Sequence, residues 1–361
     1  MRSLLSFFKG VNSLLVFLPI SIVLHFLHGV SPMIVFATAA LAIVPLAGLM
    51  GHATEELAKR LGSAMGGLLN ATFGNATELI IGIFAIREGL IELVKASIVG
   101  SIIGNILLVL GASILAGGLK HKVQKFNQDQ AESHAINLLL ATLSLAVPAI
   151  IASHYHQRNS AGNNDIENLS LAVAAVMLLT YLASLFFSLK THEKIFRSIE
   201  PEHEEPPQWS KKLAFLVLGI ATVLVAIESE FLVKSVEGAA KSMGVNDVFI
   251  GIIIVAIIGN AAEHSTAIWM ALKNKMDITI NIAIGSSIQI AMFVAPVLVF
   301  VSLMLGHPMT FIFNMAELAV IGLSAIIVAF IATDGKCHWL EGAQLLAAYV
   351  VIALAFYFLP G

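Results

Sequence analysis

The chain has 361 residues, of which 58% are hydrophobic and only 12% charged, with a net charge of −3, a mean hydropathy of +0.90 and one cysteine, Cys337. Soluble domains carry about 25% charged residues, so this chain has too few to cover a water-facing surface, and most of its surface must face lipid. The charge balance supplies no basic patch for nucleic acid, and a lone cysteine excludes a disulfide framework and a multi-thiolate metal site.

Arg2 and Lys9 precede an apolar stretch from Leu14 to Leu27. Residues 28–32 (His-Gly-Val-Ser-Pro) offer no small-residue cleavage site, so the segment is predicted to stay as a first span, near 11–29. Further runs of spanning length follow at 33–57, 64–86, 91–119, 133–154, 167–190, 212–235, 246–272, 278–305, 311–332 and 339–360. In lipid, runs this long without strand-like alternation must be helices. The expectation is an all-α membrane protein with eleven transmembrane helices. Between the sixth and seventh spans, residues 192–209 carry five glutamates and three prolines. This stretch reads either as a solvated linker or as an acidic cytoplasmic segment that attracts cations.

Lys and Arg resist translocation and so decide orientation. Fifteen of the 20 fall at the N-terminus and in the even-to-odd connections, while Arg87, Lys95, Arg158, Lys234 and Lys241 fall on the other side. That bias predicts a multi-pass protein with its N-terminus in the cytoplasm and its C-terminus outside, and the short chain suits a protein of the cell membrane.

The chain also resembles itself. Gly74-Asn75-Ala76-Thr77-Glu78 returns 185 residues later as Gly259-Asn260-Ala261-Ala262-Glu263, and the same offset maps Gly100-Ser101 onto Gly285-Ser286 and Glu132 onto Glu317. The predicted organisation is therefore an N-terminal segment with helix 1 (1–32), a first repeat of helices 2–6 (33–191), the acidic linker (192–209) and a second repeat of helices 7–11 (210–361). Five is odd, so the second repeat must cross the membrane upside down relative to the first. Such inverted repeats around a shared site belong to secondary transporters.

Glu78 and Glu263 both fall within spans, where a carboxylate costs roughly 2.5–3.5 kcal/mol to insert and marks a functional site by default. Asn75 with Glu78 and Asn260 with Glu263 are i,i+3 pairs on one helix face. The preceding Gly74 and Gly259 lower helix propensity and favour local opening, which frees backbone carbonyls. Ser101 with Asn105, and Ser286 with Gln289, add side-chain oxygens on two further helices. Carboxylates, amides, hydroxyls and carbonyls together suit a hard cation, Ca²⁺ better than Mg²⁺, which gives up its water reluctantly. His264 points about 100° from Glu263 on a helix and reads as a gating or proton-linked group or as a packing polar residue. The Asn-x-Thr patterns at 70–72 and 75–77 lie inside a span and cannot be glycosylated. No His-Glu-x-x-His or P-loop pattern occurs, and no other catalytic constellation suggests an enzyme.

At these residues the chain resembles the H⁺/Ca²⁺ exchanger (CAX) family of the Ca²⁺/cation antiporter superfamily. The resemblance rests on residues 66–78, 100–111, 259–276 and 285–296 and extends over nearly the whole chain. It implies that Glu78 and Glu263 bind Ca²⁺ and protons alternately, that Asn75, Asn260, Ser101, Ser286 and Gln289 line the site, and that helices 2 and 7 gate it. Glu55 and Glu230 match family acids on those gating helices, with an access or proton-relay role or an ordinary helix-end charge. The linker is short beside those of long-linker members. The expected cargo is Ca²⁺ and H⁺ with no cofactor, and the expected partners are those ions and the lipid bilayer, with self-association into a homo-oligomer left open. Two converging carboxylates repel and are poorly solvated, which favours protonation, while Ca²⁺ stabilises the ionised pair. The empty charged site is then the one form that cannot cross, which yields exchange with at least two H⁺ per Ca²⁺ and Ca²⁺ efflux down the proton gradient. The rival readings are Na⁺/Ca²⁺ exchange on the same fold and a Ca²⁺ channel.

Overall fold

The computed structural model of the chain describes residues 10–27, 29–61, 63–157, 163–192 and 206–358. Arg2, Lys9, Arg158 and linker residues 193–205 lie outside the described residues. Thirteen helices are described: α1 (Val11–Phe26), α2 (Pro32–Leu61), α3 (Ser63–Phe73), α4 (Ala76–Arg87), α5 (Ile91–His121), α6 (Gln128–Gln157), α7 (Asn163–Phe186), α8 (Lys211–Met243), α9 (Asp247–Gly259), α10 (Ala261–Leu272), α11 (Met276–Met304), α12 (Met315–Ala332) and α13 (Trp339–Phe358). Eight of them are individually long and apolar enough to cross a membrane, and α9 with α10 makes a ninth span bent by 62°. α1 is a shorter apolar helix, and α3 with α4 holds the place in the first repeat that α9 with α10 holds in the second. Counting these two, the architecture accommodates the eleven spans predicted.

Several boundaries repeat at the 185-residue offset. α4 begins at Ala76 and ends at Arg87, and α10 begins at Ala261 and ends at Leu272. α5 begins at Ile91 and α11 at Met276.

By its contacts the chain forms two compact units. Unit 1 comprises residues 1–97, 205–262 and 357–361, and unit 2 comprises 98–204 and 263–356. Each unit therefore draws on both sequence repeats. In unit 1, Leu46, Met50, Ala53 and Leu57 of α2 form one core with Ala214, Leu218, Ala221 and Val225 of α8. Both sets recur at three- and four-residue spacing, so each is a single helical stripe. In lipid such helices associate through close packing rather than the hydrophobic effect. Gly238 of α8 shows the closeness: a β-carbon there would stand 2.5 Å from Cβ of Pro32. In unit 2, α6 packs on α12, and α7 on the second half of α11.

One element is not helical. β1 (Val123–Lys125) pairs antiparallel with β2 (Lys336–His338), Gln124 opposite Cys337, and so joins two connections of unit 2. Cys337 is buried there, and burial, with Glu341 and Asp334 nearby, pushes its thiol up to about 12. Almost no reactive thiolate exists at neutral pH. A maleimide is expected to label Cys337 only after unfolding; rapid labelling of the native protein in detergent would mean that the strand pair opens.

Candidate ion-binding site

In unit 1 the helix is interrupted at the first Gly-Asn pair. α3 stops at Phe73, Gly74 and Asn75 intervene, and α4 starts at Ala76, with Asn75 at φ −108° and ψ 26°. Continuity is kept by Gly74 N–H donating to the Asn70 carbonyl at 2.8 Å and Leu79 N–H donating to the Asn75 carbonyl at 3.1 Å. The break sets Glu78 in the first turn of α4, where the positive end of the helix dipole favours a negative charge. Glu78 and Asn75 are both buried. The second Gly-Asn pair does the same: α9 ends at Gly259, Asn260 adopts φ −95° and ψ 6°, and α10 begins at Ala261. Asn260, also buried, donates from Nδ2 to the Ala256 carbonyl at 2.9 Å.

The two pairs meet within unit 1. A β-carbon built on Gly259 would stand 3.1 Å from Oε1 of Glu78 and 3.4 Å from its Cγ and Cδ. The glycine of the second repeat is thus the surface on which the carboxylate of the first repeat rests. A side chain there would push the carboxylate back by a few tenths of an ångström or more.

Unit 2 holds the second carboxylate and the remaining polar groups. Glu263 lies in the first turn of α10 and is hydrogen-bonded by Ser286 of α11, while its Oε2 is buried with no hydrogen-bond partner among the described residues. Ser101 and Asn105 of α5 are buried, as is Ser286; Gln289 is half-buried. His264 Nε2 lies 3.3 Å from Oδ1 of Asn105, so the imidazole is engaged with a residue of the predicted lining.

A repeated distortion accompanies these residues. α5 widens into a π-helical turn at Gly104–Val109 and α11 into another at Ile290–Val294, again at equivalent positions. Such turns occur often at functional sites. Between them Ser287 Oγ donates to the Ile102 carbonyl at 3.3 Å, across a separation of 185 residues. The contact joins residues one repeat offset apart, beside Ser101 and Ser286.

The predicted gating acids sit in local ion pairs. Glu55 pairs with Lys59 at 2.8 Å and lies 4.0 Å from Nδ1 of His52; Glu230 pairs with Lys234 at 2.6 Å. Two neighbouring acids that the sequence reading passed over are the fully buried ones, Glu56 and Glu228. Glu56 Oε2 accepts from Trp209 N–H at 2.6 Å, Arg60 donates to the Trp209 carbonyl, and His52 meets the indole edge-on at 4.6 Å. The described end of the linker is thereby anchored to the C-terminal end of α2. Helical spacing would have found Glu228, which continues the Leu218, Ala221, Val225 stripe, whereas Glu230 stands off it.

Among the described residues no three His, Cys, Asp or Glu side chains gather as a metal cluster.

Comparison with known proteins agrees with this architecture. The family described as sodium/calcium exchanger protein matches residues 31–190 and 213–358. A Ca²⁺/H⁺ antiporter of Aphanothece halophytica is 45% identical over 361 residues, covering 96% of both chains. The Ca²⁺/H⁺ antiporter ChaA of Bacillus subtilis is 45% identical over 345 residues, covering 94% of this chain and 96% of its own. The solved structure of native YfkE superposes with a TM-score of 0.84 at 41% identity, covering 97% of this chain and all of that one. With two interrupted Gly-Asn helices, paired π-helical turns and a match along both repeats, the chain belongs to the sodium/calcium exchanger protein family.

Proposed function

We propose that the protein is a transporter, not an enzyme, that exchanges Ca²⁺ for protons by alternating access, with Glu78 and Glu263 binding the two ions in competition. The observation that carries this reading is the placement of one carboxylate in each unit, both in the first turn of a helix behind an interrupted Gly-Asn, at positions one repeat apart. The relatives at 45% identity, both named Ca²⁺/H⁺ antiporters, support protons rather than Na⁺ as the counter-ion. Asn75, Asn260, Ser101, Asn105, Ser286 and Gln289 supply neutral oxygens, and the Gly74 and Gly259 breaks free carbonyls beside them. His264 acts through Asn105. Glu55 and Glu230, the accessible acids of α2 and α8, serve ion entry and proton relay. Residues 33–191 and 210–361 act as the two inverted halves, and no cofactor is required. The 15-to-5 split of basic residues supports a cytoplasmic N-terminus and an external C-terminus. In the cell membrane an inward proton gradient would drive Ca²⁺ out.

Calcium flux into proteoliposomes under an imposed pH gradient tests the proposal. Uptake should follow the pH gradient, need no Na⁺, and show an apparent Ca²⁺ affinity that rises with pH on the binding side, because each bound Ca²⁺ displaces protons. Flux driven by a Na⁺ gradient and indifferent to pH would replace the proton by sodium. Flux that needs no counter-ion gradient would make the protein a channel.

A further inference from the structure

Glu228 lies midway along α8 and is fully buried, and so is Ser21 of α1, its partner. Ser21 Oγ stands 2.6 Å from Oε1 and 2.7 Å from Oε2 of Glu228, and 3.0 Å from the Leu18 carbonyl oxygen. Among the described residues no cation pairs with Glu228; Lys234, on the same helix, is engaged by Glu230.

Three oxygens therefore surround a hydroxyl that has one hydrogen to give. With Glu228 ionised, Ser21 could serve a single oxygen, and a buried negative charge would have neither a cation nor a second donor. With Glu228 protonated, its O–H donates to Ser21 Oγ and Ser21 donates to the Leu18 carbonyl, so both donors have acceptors. A separation of 2.6 Å lies within the range of O–H···O bonds.

Among the described residues the surroundings offer nothing that would hold the ionised form. On α1 the titratable group among the described residues is His25, stacked on Phe231 at 3.9 Å. On α2, residues 32–51 carry no charge, and His52 to Arg60 lie at the end that meets Trp209, roughly 25–30 Å along α8 at 1.5 Å per residue. α4 contributes Glu78 and Arg87, α9 contributes Asp247, and α8 itself contributes Lys211, Lys212, Glu230, Lys234, Glu237 and Lys241. None of these forms a hydrogen bond or ion pair with Glu228.

We infer that Glu228 is a third proton-binding site, distinct from the exchanged pair, whose proton stays in place when Ca²⁺ binds and pins α1, the helix outside both repeats, to α8. The proton fills the place that a structural cation would otherwise take. The amide of Glu228→Gln reproduces the arrangement, since its N–H still donates to Ser21.

Infrared absorption of the reconstituted full chain at neutral pH, in saturating Ca²⁺, tests this. Calcium removes protons from the exchanged carboxylates but not from Glu228. The difference spectrum between native protein and Glu228→Gln should contain the carbonyl band of a protonated carboxyl group, and Ser21→Ala should move that band to higher frequency, because the acid loses its acceptor. Glu228→Gln should keep exchange within about twofold of the native rate. A carboxylate band in the difference spectrum, in place of the acid band, overturns the inference. So does loss of exchange in Glu228→Gln, which would put Glu228 among the exchanged acids. The spectrum does not depend on transport, so it is readable even if calcium–proton exchange itself fails its own test.

Discussion

Glu78→Gln and Glu263→Gln are each expected to abolish calcium–proton exchange while leaving the protein folded. Glutamine keeps the shape of a protonated glutamate and can never ionise, so each variant is fixed in the proton-loaded form at one of its two acids. Two losses follow from one atom change. On the proposed mechanism the cation would lose one of two negative charges, for which at least about a 100-fold fall in affinity is expected, or about 2.8 kcal/mol. The remaining carboxylate can exchange one proton, but a single charge cannot balance a divalent ion in a poorly solvated site. The fold does not depend on the charge. Glu78 is buried in the first turn of α4 and Glu263 is hydrogen-bonded by Ser286, and a neutral amide is easier to bury at either place than a carboxylate. Thermal unfolding in detergent should therefore occur at or above the native temperature. Glu78→Asp keeps the charge but withdraws it by one methylene, so it should retain a fraction of the exchange. More than about a tenth of native uptake in either glutamine variant would remove that carboxylate from the mechanism.

How far these features can be read from the residues differs element by element. The breaks at Gly74-Asn75 and Asn260 are legible because glycine and asparagine are poor helix formers in any context, and their recurrence at a fixed offset makes chance a weak explanation. The π-helical turns at Gly104–Val109 and Ile290–Val294 are not legible: they add a residue to a helix whose apolar sequence suits α and π turns alike. The contact between Ser287 and Ile102, one repeat offset apart, depends on two helices meeting and has no local signal. The pairing of β1 with β2 is missed for another reason, since three residues are too few to display alternation. Glu56 and Glu228 show the opposite case. Their helical spacing is present in the sequence, but the family motif matches at Glu55 and Glu230, and only burial separates the four.

Gly259 tests the close approach between the repeats most directly. Gly259→Val is expected to cut exchange about 100-fold, and Gly259→Ala by a smaller factor, with no loss of stability in either. The alanine β-carbon would stand 3.1 Å from Oε1 of Glu78, a few tenths of an ångström too near, and the carboxylate at the end of its side chain can yield by that much. Valine adds two methyl groups on the same side and drives the carboxylate away by the order of an ångström, a displacement that costs about two orders of magnitude where reacting groups must be aligned. Stability should move the other way or not at all, since glycine at a helix end is replaced by residues that order the unfolded chain less expensively in entropy, by about 0.5–1 kcal/mol for alanine. The pattern of activity falling with side-chain size while unfolding temperature holds would locate the effect at Glu78 rather than in the packing of α9. Paired with Glu78→Asp, whose shorter side chain withdraws from Gly259, the alanine variant should lose less than it does in the native background, because the clash it introduces has been relieved. Strict additivity of the two substitutions would mean that Gly259 and Glu78 act apart, and that the carboxylate of the first repeat does not rest on the glycine of the second.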